Sequence, residues 1–186
     1  MGCSAKDGDS IMAIIEAIET VYLEADAASV TFDSVAGYEH LQLRFSFASD
    51  STGGDWKSLT LQFNDDTGSN YTYIQTYAYG TSKAWFGSGG TNTRNGWMST
   101  YQSNSTAPTS YGGGVLMIPD YLNANKNTAC LEAGGVNNKS GANRGMQGTS
   151  WGLWDDTAAI TKIKITPQND SWLRGTVFSL YGIKSS

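Results

Sequence analysis

Histidine is almost missing from this sequence: His40 is the only one in 186 residues. Imidazole is the usual general base and a common metal ligand. A chain with one histidine therefore offers little to hydrolytic or metal-dependent chemistry, and no GxSxG elbow or comparable nucleophile setting is read in it. His40 sits in Tyr38-Glu39-His40-Leu41-Gln42-Leu43 and reads as a polar residue opening a strand. Charge is also scarce. Asp, Glu, Lys and Arg make up 16% of the chain, against about 25% in an average protein. With 12 basic and 17 acidic residues the net charge is −5, and no basic run exists, so phosphate neutralisation on a nucleic acid is not expected. No run of 18 apolar residues marks a membrane-spanning helix. The two cysteines, Cys3 and Cys130, form neither a CxxC pair nor a disulfide framework. They are expected to be free thiols in a protein made in a reducing cytoplasm. No secretory signal is read at the N-terminus. The opening Met1-Gly2-Cys3 has Lys6 where myristoylation wants Ser or Thr.

What the chain has instead is glycine, hydroxyls, amides and rings. Glycine numbers 22, Ser, Thr and Asn together 52, and aromatics reach 12% with 6 Trp and 10 Tyr. Such a chain is turn-rich and β-prone, and too aromatic to be disordered. Period-two alternation runs through most of it. Leu41-Gln42-Leu43-Arg44-Phe45-Ser46-Phe47 places Leu and Phe on one face and Gln, Arg and Ser on the other, the pattern of an antiparallel strand with one wet side. Leu59, Leu61 and Phe63 repeat it, and so do Ile160–Thr166 and Thr176–Ile183. Ile14–Leu23 alternates loosely, and its β-branched content favours strand over helix. Tyr71, Tyr73, Gln75, Tyr77 and Tyr79 share one face as a tyrosine ladder. Residues 81–112 break the rhythm, with two charges (Lys83 and Arg94) among many Gly, Ser, Thr and Asn, and read as a long loop. Eight to ten short strands without a long helix predict an all-β, two-sheet antiparallel β-sandwich of jelly-roll type with long loops. Residues 1–11 are expected to form a flexible arm and 12–186 a single sandwich domain.

Three constellations bear on function. Asn64, Asp65, Asp66 and Asn70 carry oxygen ligands, but without EF-hand spacing they read as a tight turn, and no metal site or cofactor is expected. Asp155 and Asp156, with Glu16, Glu19 and Glu24, supply carboxylates of the kind a glycosidase pairs across a sugar; Asp-Asp-Thr reads better as a turn, and no enzyme is expected. The aromatics point to contact surfaces. Trp85, Phe86, Trp97, Tyr101 and Tyr111, all in or beside the long loop, are the candidate partner or subunit contacts. Trp154 and Trp172 are the candidates for stacking on a sugar. Trp151 and Trp154 stand an odd number of residues apart, so one belongs to the core and the other to the surface.

Two segments carry a resemblance. Leu59-Thr60-Leu61-Gln62-Phe63-Asn64-Asp65-Asp66-Thr67-Gly68-Ser69-Asn70-Tyr71 resembles an "LxLQFNxDTGxNY" stretch of virion structural proteins of tailed bacteriophages. Trp151-Gly152-Leu153-Trp154, Ala158–Ile163 and Phe178-Ser179-Leu180-Tyr181-Gly182-Ile183 resemble the C-terminal part of the same proteins. Met12–Glu16 resembles their usual start. The likeness covers residues 12–80 and 145–183, leaves the middle individual, and carries over no active-site residue. It implies a non-enzymatic β-sandwich on the capsid surface, often a homotrimeric decoration or cement protein. The implied partner is the major capsid protein and the implied location the virion, after synthesis in the host cytoplasm. The alternative is a carbohydrate- or receptor-binding module of a tail or head fibre, with a glycan as partner.

Overall fold

The computed structural model describes residues 14–33, 35–50, 58–79, 82–92, 111–136, 145–168 and 170–184, with Tyr79 and residues 82–92 described by their backbone. Residues 1–11, read as an arm, lie outside them. The described residues hold no helix and eleven strands: β1 Ile14–Tyr22, β2 Val30–Phe32, β3 His40–Phe47, β4 Leu59–Phe63, β5 Tyr71–Tyr79, β6 Ser82–Asn92, β7 Gly112–Ile118, β8 Thr128–Val136, β9 Met146–Trp154, β10 Ile163–Pro167 and β11 Val177–Lys184. They form two antiparallel sheets. One has eight strands in the order β1-β11-β3-β7-β8-β9-β5-β6, and the other three in the order β2-β10-β4. The all-β, two-sheet architecture expected from the alternation is the one observed.

One strand was not expected. β6 occupies Ser82–Asn92, inside the stretch read as a loop. Its sequence, SKAWFGSGGTN, has no alternating apolar face. An edge strand does not need one, because pairing with β5 supplies its ladder, from Tyr79↔Ser82 to Ile74↔Gly87, with a register shift near Tyr71 and Tyr73. β1 is a strand, and its register slips between Ala17 and Glu19 as it pairs with β11. Ile18, at that irregularity, packs against the core.

The core joins the two sheets. Leu41, Leu43, Phe45 and Phe47 of β3 and Phe178 and Leu180 of β11 belong to one buried cluster with Val30 and Phe32 of β2, Leu59, Leu61 and Phe63 of β4, and Ile163 and Ile165 of β10. Each such side chain stabilises the fold by about 1.5–3 kcal/mol through removal from water. At one end Trp172 meets Phe47 edge-on at 4.9 Å and Phe178 at 5.3 Å. At the other Trp154 stacks on Tyr71 at 6.3 Å and touches Phe63 at 5.6 Å. Gly182 has a specific reason to be glycine. A Cβ there would lie 2.1 Å from the Tyr38 ring, which crosses β11 at that point.

The chain passes from the small sheet to the large one through a turn that its residue types dictate. Asn64 and Asp65 both take left-handed backbone angles, φ 52° and 58°, as the central pair of a type I′ turn does. Asp66 N–H closes that turn on Phe63 O at 2.8 Å. The acids and amides here brace the structure. Asn64 Oδ1 accepts from Thr161 N–H at 2.9 Å and Lys162 N–H at 3.2 Å. Asp66 accepts from Gly68 N–H at 2.7 Å, Asn70 Nδ2 at 2.8 Å and Trp154 Nε1 at 2.6 Å. Partial burial would raise the Asp66 carboxyl, but these N–H donors outweigh it and hold the group below the usual carboxylate range.

Candidate interaction surface

Strand alternation gives the large sheet an inner face toward the core and an outer face away from it. At one pair of adjacent rows on three neighbouring strands the usual polarity of those faces is reversed. Pairing lines up Glu132 of β8, Ser150 of β9 and Gln75 of β5 in one row. All three are buried, at 0%, 1% and 2% exposure. The next row holds Leu131, Trp151 and Ile74 on the opposite side. Trp151 is 58% exposed and Ile74 60%. Polar groups thus lie inward and the large apolar ones outward, where water should favour the opposite.

The apolar row continues across the sheet. Leu131 faces Met117 on β7, Met117 faces Gln42 on β3, and Gln42 faces Tyr181 on β11. Gln42 donates Nε2–H to Met117 Sδ at 3.1 Å. A parallel row reads Thr76, Thr149, Ala133, Val115, Arg44 and Ser179. Its Thr76 and Thr149 hydroxyls bond each other at 2.9 Å. A third row is nearly smooth: Ala78, Gln147, Gly135, Gly113, Ser46 and Val177. Among the described outward residues of β11, β3, β7, β8, β9 and β5, the one formal charge is Arg44. Its guanidinium lies 4.4 Å over the Tyr181 ring and donates Nε–H to Gln42 Oε1 at 2.7 Å. A shallow depression of about 470 Å³ opens on this face, lined by Arg44, Phe45, Ser46, Gly114, Val115, Val177 and Ser179.

Charges collect elsewhere. Lys162 Nζ bridges Asp65 at 2.8 Å and Asp33 at 3.7 Å beside the small sheet. Lys126 pairs with Asp120 at 2.6 Å in the β7–β8 connection, and Lys184 with Glu16 at 3.4 Å at the β1 edge.

The residues singled out in the sequence fall in several places. Trp154 and Trp172 are corrected outright as sugar-stacking residues: both are core side chains, 1% and 0% exposed. Trp154 Nε1–H is used by Asp66, and Trp172 Nε1–H points to Ile165 O at 3.4 Å. The exposed partner of the Trp151–Trp154 pair is Trp151, as their odd spacing required of one of them. Trp85 and Phe86 lie on β6, opposite Thr76 and Gln75. Trp97 and Tyr101 lie outside the described residues. Tyr111 is engaged within the chain: its hydroxyl donates to Arg174 O at 2.6 Å. The tyrosine ladder of β5 is on the inner face, with Tyr71 and Tyr73 buried. Burial pushes both phenols upward. His40 opens β3, and its Nδ1 accepts Asp120 N–H at 2.9 Å. Asp155 is bonded by Asn127 and Asp156 by Ala158 N–H at 2.8 Å, as turn residues.

Contrary to the expectation of no such pattern, Gly148-Thr149-Ser150-Trp151-Gly152 spells GxSxG. A nucleophile elbow of that pattern needs a sharp strand-to-helix turn that lifts the serine into the open. Here the five residues run straight along β9 and Ser150 is buried beside Glu132. Among the described residues no group of His, Cys, Asp and Glu is placed to hold a metal ion. Comparison with known proteins found no match: no family model, curated protein or solved structure aligns significantly with the chain.

Proposed function

We propose that the chain is a non-enzymatic structural protein of a bacteriophage virion that decorates the outer capsid surface and reinforces the shell. The observation that carries this reading is the reversed polarity of one pair of rows across β8, β9 and β5. Leu131, Trp151 and Ile74 face outward on a nearly uncharged sheet while Glu132, Ser150 and Gln75 are buried behind them. A large apolar row facing away from the core belongs to a protein that works against protein neighbours. The resemblance adds weight, because its two segments are braced to each other: Asn64 holds Thr161 and Lys162, and Asp66 holds Trp154. The jelly-roll form of the sandwich belongs to the same proposal. Strands β1·β11, β2·β10 and β3·β7 pair as nested arms, as in a rolled-up hairpin. The major capsid protein as partner and a homotrimer with Trp85 and Phe86 near its contacts complete it.

The second reading is a carbohydrate-binding module of a fibre. Exposed Trp151, beside Thr149 and Gln147, is the ring that would stack on a sugar in that case. Cryo-electron microscopy of virions carrying this chain separates the two. Regular density over the capsid, at or near threefold positions, is the expected result. Density confined to the tail or a fibre tip would overturn decoration and make glycan screening of the purified chain the deciding assay.

A further inference from the structure

We infer that the outer face of the large sheet pairs with the same face of a second copy, Trp151 of each copy filling the shallow depression of the other. This rests on the reading of that face as a protein contact and names its occupant.

Area comes first. Eight strands spaced about 4.8 Å apart, each about seven residues long at about 3.3 Å per residue, present on the order of 900 Å². A standard stable interface buries about 800 Å² per partner. The face is therefore the right size to be covered once by its own copy. Charge comes second. On the six strands from β11 to β5 the one described outward charge is Arg44, already spread over Tyr181 at 4.4 Å, and Lys83 stands at an outward register position on the β6 edge, so two copies meet with little repulsion. A strongly charged partner would find nothing to pair with.

Relief decides the arrangement. Away from the β1 edge, where Ile15 and Tyr22 are also exposed, the face has a tall feature, the Trp151–Ile74 ridge on β9 and β5, and a low one, the depression lined by Val177 and Ser179 of β11, Arg44 and Ser46 of β3 and Val115 of β7. Trp151 on β9 lies about three strand spacings from the middle of that depression on β3, about 14 Å, and two to four residues away along the strands, about 7–13 Å. Both look out along the same normal, so a copy whose ridge enters a neighbour's depression presents its own depression to that neighbour's ridge. The contact closes on itself with a twofold axis lying in the interface, inclined by about 35° to the strands because ridge and depression are offset along them as well as across them. The strands of the two copies then cross at about 70°, near the orthogonal mode of sheet packing, with the sheets about 10 Å apart. An indole seated there lies beside the Arg44 guanidinium, a favourable cation–π pairing. A threefold ring needs two patches with different normals, so threefold contact falls to other surfaces.

Sedimentation velocity of the purified full chain across the micromolar range tests this with two outward-facing variants. Trp151→Asp removes the ridge and Ser46→Arg fills the depression. Circular dichroism and melting confirm that each is folded. The expected result is a dimer for the unaltered chain and a loss of roughly thirtyfold or more in pairing for each variant alone, the scale of an interface anchor. Mixing the two variants should restore a heterodimer, because Trp151 of the Ser46→Arg chain still meets an open depression on the Trp151→Asp chain. A chain monomeric throughout, an oligomer indifferent to both changes, or a mixture that fails to pair would each overturn the inference. A monomer that still occupies regular capsid positions in virions fails this inference alone. A Trp151-dependent dimer found only on a fibre tip fails the decoration reading alone.

Discussion

Trp154 and Asp66, 88 residues apart in sequence, are joined by a 2.6 Å hydrogen bond from the indole Nε1–H to the carboxylate Oδ2. The bond ties the end of β9 to the turn between the two sheets, and the same carboxylate also holds Gly68 and Asn70. Asp66→Ala leaves the buried indole N–H without an acceptor and should cost about 1.5–3 kcal/mol, the range for a hydrogen bond to a charged group. Asp66→Asn should cost less, since one oxygen remains. Urea denaturation at neutral pH measures both.

The same residue sets an acid limit. Its folded-state carboxyl is held below the unfolded value, which is about 3.9. Its charged form therefore contributes stability above about pH 4, and that contribution is lost as pH falls through the folded value. The stability gap between the unaltered chain and Asp66→Asn should be constant from pH 7 to about 5 and shrink below about 4. A gap that stays constant down to pH 2 would show that the carboxylate charge is not what the donors hold.

Two tryptophans on one strand should respond oppositely. Trp154, packed on Tyr71 and Phe63, should cost about 3–5 kcal/mol on replacement by Ala. Trp151→Ala should change the stability of the isolated chain by no more than about 0.5 kcal/mol. Thermal melts at low protein concentration compare them directly.

Gly182 and Tyr38 should be coupled. Gly182→Ala pushes a methyl into the Tyr38 ring, and overpacking of this kind costs about 1–3 kcal/mol. In a Tyr38→Ala background most of that cost should vanish. A double-mutant cycle that finds the two changes additive would contradict the packing described.

Much of the fold was legible because most strands announce themselves. Leu41–Phe47 and Leu59–Phe63 alternate large apolar and polar residues, and burial follows that alternation in β3. β6 could not be read, because Gly87, Gly89 and Gly90 remove the side chains that would carry a period and the ladder with β5 alone makes it a strand. The contact face was half legible. The odd spacing of Trp151 and Trp154 required opposite faces but could not say which was inward. In Ala129-Cys130-Leu131-Glu132-Ala133 the expected choice puts Leu inward and Glu outward, and the sheet does the reverse. The signal was present in the pairing of three such strands, which only the register brings together.

Hydroxyl-radical footprinting of the free and the assembled protein tests the central claim most directly. It reads side-chain exposure at Trp151, Ile74, Leu131 and Met117 against control sites on the small sheet such as Lys164 and Gln62. The account predicts that assembly protects the first group and leaves the second labelled as before. Protection confined to the small-sheet side, with Trp151 and Ile74 labelled equally in both states, would contradict it.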